Sequence, residues 1–416
     1  MNGPTATTKT TQPASPSAFE RILDPANRAN PYPLYAELRE TPVVREADGT
    51  WVVSTYQEIV DLLHDPRVSS DVRNRPDLGG EAFPLAPTFI ALDPPEHDRL
   101  RSIATRPFGP PHTPGRIEGL RSWLLDTTTG LIDGFEGKDV IDLVDEFAYP
   151  LPVNAICHLL GVPTEDEPLF HRLADAVVET SDPNTGTLVE RRHRRDEISA
   201  QLRAYIDGLA DADLRSPGED MLSELLTAED PDWRMSRDDL LATAELLLVA
   251  GHETTVNLIA NGMLTLLRHA DVLARLRCEP GMILGLVEEL LRYEPPVQFL
   301  QSRVALADIA IGGTTIPAGS PIMLMLAAGS RDPIRFPDPD RFDPDRSDNQ
   351  HLGFGGGIHY CFGAPLARTE TQIALTELAR RLVNPRLVDD PPPYRPSPGL
   401  RGPRHLLVEI DGVVDA

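Results

Sequence analysis

Cys361 lies in HLGFGGGIHYCFGAPLAR, residues 351–368, with His359 two places before it and Gly355, Gly356, Gly357 and Gly363 around it. A structural zinc site wants four ligands at characteristic spacings, and here one cysteine and one histidine stand close together. An iron–sulfur cluster held by cysteines wants four of them, and the chain has Cys157, Cys278 and Cys361. A thiol nucleophile with His359 as base lacks a readable oxyanion hole or third group. A buried, inert cysteine leaves the four glycines without a reason.

A haem-thiolate loop gives each of them one. An axial thiolate must be kept deprotonated and shielded, and backbone N–H groups aimed at sulfur do both. Glycines let the backbone turn tightly enough to aim them and to approach a porphyrin face. A helix starting near Ala364 turns its positive end towards the thiolate and should lower the thiol pKa. Phe354 can shield the sulfur from water, and His359 can reach a porphyrin propionate.

Two further segments combine polar groups with apolar surroundings. SRDDLLATAELLLVAGHETTVNLIANGMLTLLRH starts at Ser236, where Asp239 three residues on suggests a capping box. Its apolar pattern runs to about Leu267, which predicts a helix of roughly 45 Å crossing the whole body. Ala250, Gly251, Glu253, Thr254 and Thr255 interrupt that helix. Thr254 can bond back to the carbonyl of Ala250 and open the helix there. Small residues at 250 and 251 admit a flat or bulky group, and the acid and alcohol can pass protons. The alternative is a kinked core helix with Glu253 in solvent. In EELLRYEPP, Glu289 and Arg292 share a helix face. Such a pair is ordinarily a solvated contact of little value. Here the neighbours are apolar, and a buried pair needs a further partner, Arg341 or Arg346.

The elements that position these residues are mostly helices. YPLYAELRE is a first helix, TWVVSTYQEIVDLLHD a strand turning into a helix, and residues 95–290 are mainly helical. Residues 303–326 alternate with Gly and Pro turns as short strands, 331–350 form a meandering loop, and PGLRGPRHLLVEI ends the chain as a strand pair. The class is mainly α with a minor β part. No repeat or Gly/Ser linker divides the 416 residues. The expected organisation is a disordered tail over 1–18 and a single haem-thiolate catalytic domain over 19–416. The tail lacks the apolar run of a signal peptide, and no stretch is apolar enough for a transmembrane span. A net charge of -25 argues against nucleic acid and anionic membrane as partners. Few, scattered cysteines fit a reducing cytoplasm.

Phe354-Gly355-x-Gly357-x-His359-x-Cys361-x-Gly363, continued by Leu366-Ala367-Arg368, resembles the signature of the cytochrome P450 superfamily, in the pattern of its actinobacterial members. Glu289-x-x-Arg292 resembles that family's E-x-x-R pair, and Ala250-Gly251-x-Glu253-Thr254 its oxygen-activation groove. The resemblance extends from NPYPLYAELRE to GLRGPRHLLVEI. It departs at Ser330 in GSRDP, where the family more often has Asn.

The resemblance implies haem b (iron protoporphyrin IX) with Cys361 as axial ligand. It implies propionate ligands His97, Arg101, Arg303 and His359, and proton delivery by Glu253 and Thr254. It implies a monooxygenase that hydroxylates or epoxidises a hydrophobic natural product such as a polyketide, terpenoid or steroid. Oxidative coupling or ring closure is the alternative, and a haem sensor without turnover is disfavoured by the intact acid–alcohol pair. Electrons would come from NAD(P)H through a ferredoxin and its reductase, docking on a basic patch with Arg99, Arg106, Arg116 and Arg368 as candidates. A monomer is expected. By position the substrate pocket takes Phe83, Phe89, Leu247, Ala250, Val297, Gln298, Phe299, Leu300 and Leu400. Gln298 and Gln301 are candidates to bond a substrate oxygen.

Overall fold

The structure, a computed structural model, describes residues 15–75, 85–108, 113, 115–180, 182–216, 218–228 and 230–415. Most of the expected tail, residues 1–14, and the pocket candidate Phe83 lie outside the described residues. The first element follows Ser17, whose hydroxyl and backbone form a capping box with Glu20 and start helix α1, Ala18–Leu23.

Helices α2 (Tyr32–Arg39) and α3 (Tyr56–His64) flank the first strands, β1 (Val43–Arg45) and β2 (Trp51–Val53). After β3 (Val68–Ser69) the chain becomes helical: α4 (Glu96–Phe108), α5 (Gly115–Asp133), and, past β4 (Val140–Asp142), α6 (Pro150–Leu160), α7 (Glu167–Glu179), α8 (Leu188–Arg215) and α9 (Met221–Leu226). The central helix α10 spans Arg237–Arg268, followed by α11 (Ala270–Cys278) and α12 (Ile283–Tyr293). Strands β5 (Leu300–Ala305), β6 (Ile309–Ile311), β7 (Thr314–Ile316) and β8 (Pro321–Leu324) come next, then α13 (Leu326–Gly329), α14 (Ala364–Arg381), β9 (Arg386–Leu387) and β10 (Leu407–Glu409). The mainly α class with a minor β part is what the chain adopts.

A five-stranded sheet has the order β1-β2-β8-β5-β3, with β2 and β8 parallel. The terminal strand β10 pairs with both β9 and β4, so the end of the chain is stitched to residues 140–142. Between Leu300 and Arg303 the pairing with β8 shifts register. Leu300 opposes Leu324 and Arg303 opposes Ile322, so a bulge brings residues three apart onto one face.

The main core gathers apolar residues from α5, α6, α8, α10, α12 and α14. Helix α10 has 32 residues, about 48 Å at 1.5 Å each, and is buried on every side from Thr255 to Leu266. Ser236 caps it by accepting Asp239 N at 3.1 Å. The reciprocal half of the expected capping box is missing, because the Asp239 carboxylate accepts from Arg99 instead, at 2.9 Å. The helix continues through Gly251 and Thr254 to Arg268.

Gly251 has a different reason from the one its composition suggested. A Cβ there would sit 3.2 Å from Cγ1 of Ile156 on α6. The glycine lets α6 press against α10, and its neighbour Ala250 is the residue left exposed.

Candidate active site

The Cys361 loop is built as a tight cradle. Gly355 and Gly357 have φ of +67° and +63°, a left-handed conformation that side chains disfavour. A Cβ on Gly357 would come 2.0 Å from the carbonyl oxygen of Leu63 on α3, so the loop is pressed directly onto that helix. Cys361 N donates to Phe354 O at 3.0 Å, closing the turn. Gly363 caps α14, and its backbone N–H and that of Ala364 point at the Cys361 sulfur. A Cβ on Gly363 would meet no protein atom within 4 Å, so no protein neighbour demands this glycine.

These N–H groups and the charges of Arg101 and Arg368 favour the thiolate, yet burial outweighs them and the thiol pKa is raised. The expectation that the helix start lowers it is therefore not met by the chain alone. A metal bound at the sulfur would supply the missing stabilisation.

Behind the loop, Arg368 donates two hydrogen bonds to Glu288, at 2.6 and 2.8 Å, and its guanidinium lies 4.6 Å from the Phe354 ring centroid. Burial works against the charge on Glu288, but hydrogen bonds from Arg368 and His351 hold its pKa at about 2. Arg368 is thus a clamp on the cysteine loop rather than a free surface charge. The other three candidates for a basic docking patch are also engaged. Arg99 pairs with Asp239, Arg116 pairs with Glu224, and Arg106 lies over the Trp233 ring.

His97, Arg101, Arg303 and His359 form a basic group facing one another. The rings of His97 and His359 are 4.5 Å apart. Burial, then Arg303, His97 and Arg101, push the His359 pKa down to about 3. Burial lowers Arg303 to about 10, with Asp93 opposing. His97 Nε2 and His359 Nδ1 are buried without a hydrogen-bond partner, and no hydrogen bond engages the Arg303 guanidinium among the described residues. Buried donors and cations lacking acceptors fit a group carrying two carboxylates beside Cys361, as haem does.

The Glu289–Arg292 pair is fully buried, with both side chains 0 % exposed. Arg292 donates to both Glu289 oxygens at 2.8 Å and to the carbonyls of Ser330, Pro339 and Arg341. Of the two candidate partners, Arg346 reaches Glu289 at 3.3 Å, while Arg341 contributes only that carbonyl and turns its side chain to solvent. Asp343 N and Asn349 Nδ2 complete the carboxylate's shell. Ser330 serves the same scaffold, its hydroxyl accepting Leu352 N at 3.2 Å.

On α10, Ala250 is exposed and Thr254 half-exposed, one turn apart between the buried stretches Leu240–Glu245 and Thr255–Leu266. The Thr254 hydroxyl donates to Ala250 O at 3.0 Å. Glu253 is 2 % exposed rather than solvated. Its Oε1 faces Arg395 at 3.2 Å and accepts from Asn257 at 3.2 Å. Burial raises its pKa, and Arg395 opposes. Sequence reasoning missed Arg395, which lies 142 positions away. It also missed Glu370 on α14, 1 % exposed opposite Thr255, whose carboxyl burial pushes up to about 8.

The pocket candidates divide. Val297 and Leu400 are bridged to each other, and both are half-buried, as is Leu300. Leu247 is buried in the main core. Phe89 packs against Phe362 and His97, at the edge of the cysteine loop. Gln298 and Phe299 turn away. Gln298 is 0 % exposed and consumed by Tyr35 Oη and Pro295 O, so it is not available to a substrate oxygen. Phe299 packs on Phe19 of α1. Gln301 is exposed. No helix among the described residues is long and apolar enough to cross a membrane.

The cytochrome P450 family model matches residues 170–404. The chain is 42% identical over 396 residues to the cytochrome P450 monooxygenase PikC of Streptomyces venezuelae, covering 91% of each. It is 38% identical to the 6-deoxyerythronolide B hydroxylase of Saccharopolyspora erythraea over 400 residues, 92% of this chain and 96% of the other. The crystal structure of ligand-free CYP164A2 from Mycobacterium smegmatis superposes with a TM-score of 0.86 at 38% identity, over 94% of this chain and 99% of that one. The basic group beside a glycine-cradled cysteine thus has its explanation: the chain belongs to the cytochrome P450 family and is a bacterial haem monooxygenase.

Proposed function

We propose that this enzyme hydroxylates a bulky, largely apolar natural product, with a polyketide macrolactone as the substrate class. The observation that carries the reading is the accessible middle turn of α10, where Ala250 and Thr254 open between the buried stretches Leu240–Glu245 and Thr255–Leu266. Val297, Leu300 and Leu400 offer apolar surface, and Gln298 is turned into the core. Recognition then rests on shape and apolar burial, with few directed polar contacts. The likeness to a hydroxylase named for 6-deoxyerythronolide B supports the macrolactone class.

In this reading Cys361 holds the haem iron, and the N–H groups of Gly363 and Ala364 stabilise its thiolate. His97, Arg101, Arg303 and His359 hold the propionates. When bound, the haem supplies reductive activation of O2 and insertion of one oxygen atom into a C–H bond. Thr254 Oγ1 presents a hydroxyl at the accessible face, and Glu253 behind it replenishes the proton. Burial raises the pKa of this carboxyl, so it holds a proton more readily than a solvated one. The electrons come from NAD(P)H through a separate ferredoxin and reductase.

Titration of the purified enzyme with 6-deoxyerythronolide B and with a steroid and a terpenoid tests the substrate class. A saturable shift of the Soret band to shorter wavelength with the macrolactone, followed by a product heavier by one oxygen atom, is expected. A shift confined to the steroid or terpenoid, or a coupled or ring-closed product, contradicts the proposal.

A further inference from the structure

Beside the relay, three potential metal ligands converge from two helices. Asp175 of α7, and His252 and Glu253 of α10, bring one nitrogen and two carboxylate oxygens within 4.8 Å of one another. His252 is 1 % exposed. Its Nδ1 stands 3.2 Å from Leu248 O, one turn earlier in α10. With Nδ1–H donating to that carbonyl, Nε2 carries a lone pair. Nε2 is buried without a hydrogen-bond partner and lies 3.6 Å from Asp175 Oδ1. A ring held through one nitrogen and open at the other is the arrangement a metal-binding imidazole uses.

Glu253 is divided in the same way. Its Oε1 is held by Asn257 and Arg395, whereas Oε2 is buried and accepts no hydrogen bond. Two orphaned atoms, a nitrogen lone pair and a carboxylate oxygen, therefore sit in one buried place with a second carboxylate at its edge. Tyr149 packs edge-on against the His252 ring, 5.9 Å between centroids, and covers the site from α6's side.

We propose that Asp175, His252 and Glu253 bind a divalent ion of the zinc class. One imidazole and two carboxylates suit zinc, whereas calcium and magnesium want more oxygen ligands. The ion pins α7 to the central helix, and a water fills its fourth position. It also takes the free oxygen of Glu253; the consequence, that zinc inhibits turnover, rests on the relay role proposed above. The binding itself does not, so a failed relay and a failed site are separable.

Equilibrium dialysis of the intact protein against Zn2+, with metal analysis, tests the site. A Cys278→Ser background removes the exposed thiol. One zinc per chain is expected, with affinity falling at least about 100-fold in Asp175→Asn and in His252→Phe. Asp175 is 34% exposed, so its conservative variant should fold even if His252→Phe does not. His405→Ala, which breaks the exposed Asp142–Asp145–His405 group, should keep the zinc. Zinc should also raise the thermal midpoint of the parent but not of Asp175→Asn. Absence of zinc binding by the parent overturns the site. So does equal binding by the two ligand variants, or loss of zinc in His405→Ala.

Discussion

The Glu289 network makes a graded prediction in which two arginines five residues apart behave differently. Arg346 is 10% exposed on its side chain and donates to buried Glu289 at 3.3 Å, to Pro337 O at 2.9 Å and to Asp338 O at 3.3 Å. Arg341 is 69% exposed and pairs with Asp343 only at 3.6 Å. A hydrogen bond to a charged group contributes about 1.5–3 kcal/mol. Arg346→Met leaves Glu289 its bonds from Arg292, Asp343 and Asn349. Its cost is therefore about 2 kcal/mol. Arg341→Met leaves untouched the carbonyl that Arg292 uses and should cost under about 0.5 kcal/mol. Arg292→Met strands a buried carboxylate and should cost about 3–5 kcal/mol. Urea unfolding of the three variants, followed by far-ultraviolet circular dichroism, gives the order directly. A cost for Arg341→Met equal to that of Arg346→Met would refute the assignment of the third partner.

Other consequences follow from single side chains. Glu370, raised to about 8, binds its proton more tightly folded than unfolded. Its contribution is therefore present below the unfolded carboxyl pKa near 4.5 and is lost as pH rises to about 8. Glu370→Gln should flatten that decline, so the variant gains on the parent by several kcal/mol, on the order of 1.4 per pKa unit, between pH 5 and 8; a constant difference in thermal midpoint across that range contradicts it. Gly251→Ala should destabilise by about 1 kcal/mol, because crowding against Ile156 exceeds the gain in helix propensity. In an Ile156→Ala background it should stabilise instead, and a double-mutant cycle without that sign change removes the packing argument. Arg303→Met should stabilise the haem-free chain by roughly 1–3 kcal/mol while accelerating haem loss about tenfold or more. If apo stability and haem retention fall together, Arg303 is a scaffold residue and not a propionate ligand.

The parts of the site that were legible in the sequence are those whose chemistry is local. Gly355, Gly357 and Cys361 lie within seven residues, and positive φ explains the glycines without tertiary knowledge. Glu289 and Arg292 share a helix face, so their pairing follows from spacing. What was not legible depends on contacts distant in sequence. Arg395 meets Glu253 only through the tertiary fold, and charge pairing carries no sequence period. Glu370 looks like an ordinary helix-surface acid until α10 covers it. Gln298 and Phe299 were assigned to the pocket by position, but the chain after Pro296 turns them towards Tyr35 and Phe19. The bulge before Arg303 could not be seen because period-two alternation assumes a regular ladder. Gly251 was read as making room for a ligand because composition alone does not say which neighbour a missing Cβ admits.

The central claim is thiolate ligation of haem iron by Cys361, and the carbon monoxide difference spectrum of the reduced protein tests it most directly. The account predicts a strongly red-shifted Soret band in the parent, lost in Cys361→His while haem is still bound through the residues proposed to hold its propionates. A parent spectrum without the red shift, or a red shift that survives Cys361→His, contradicts it.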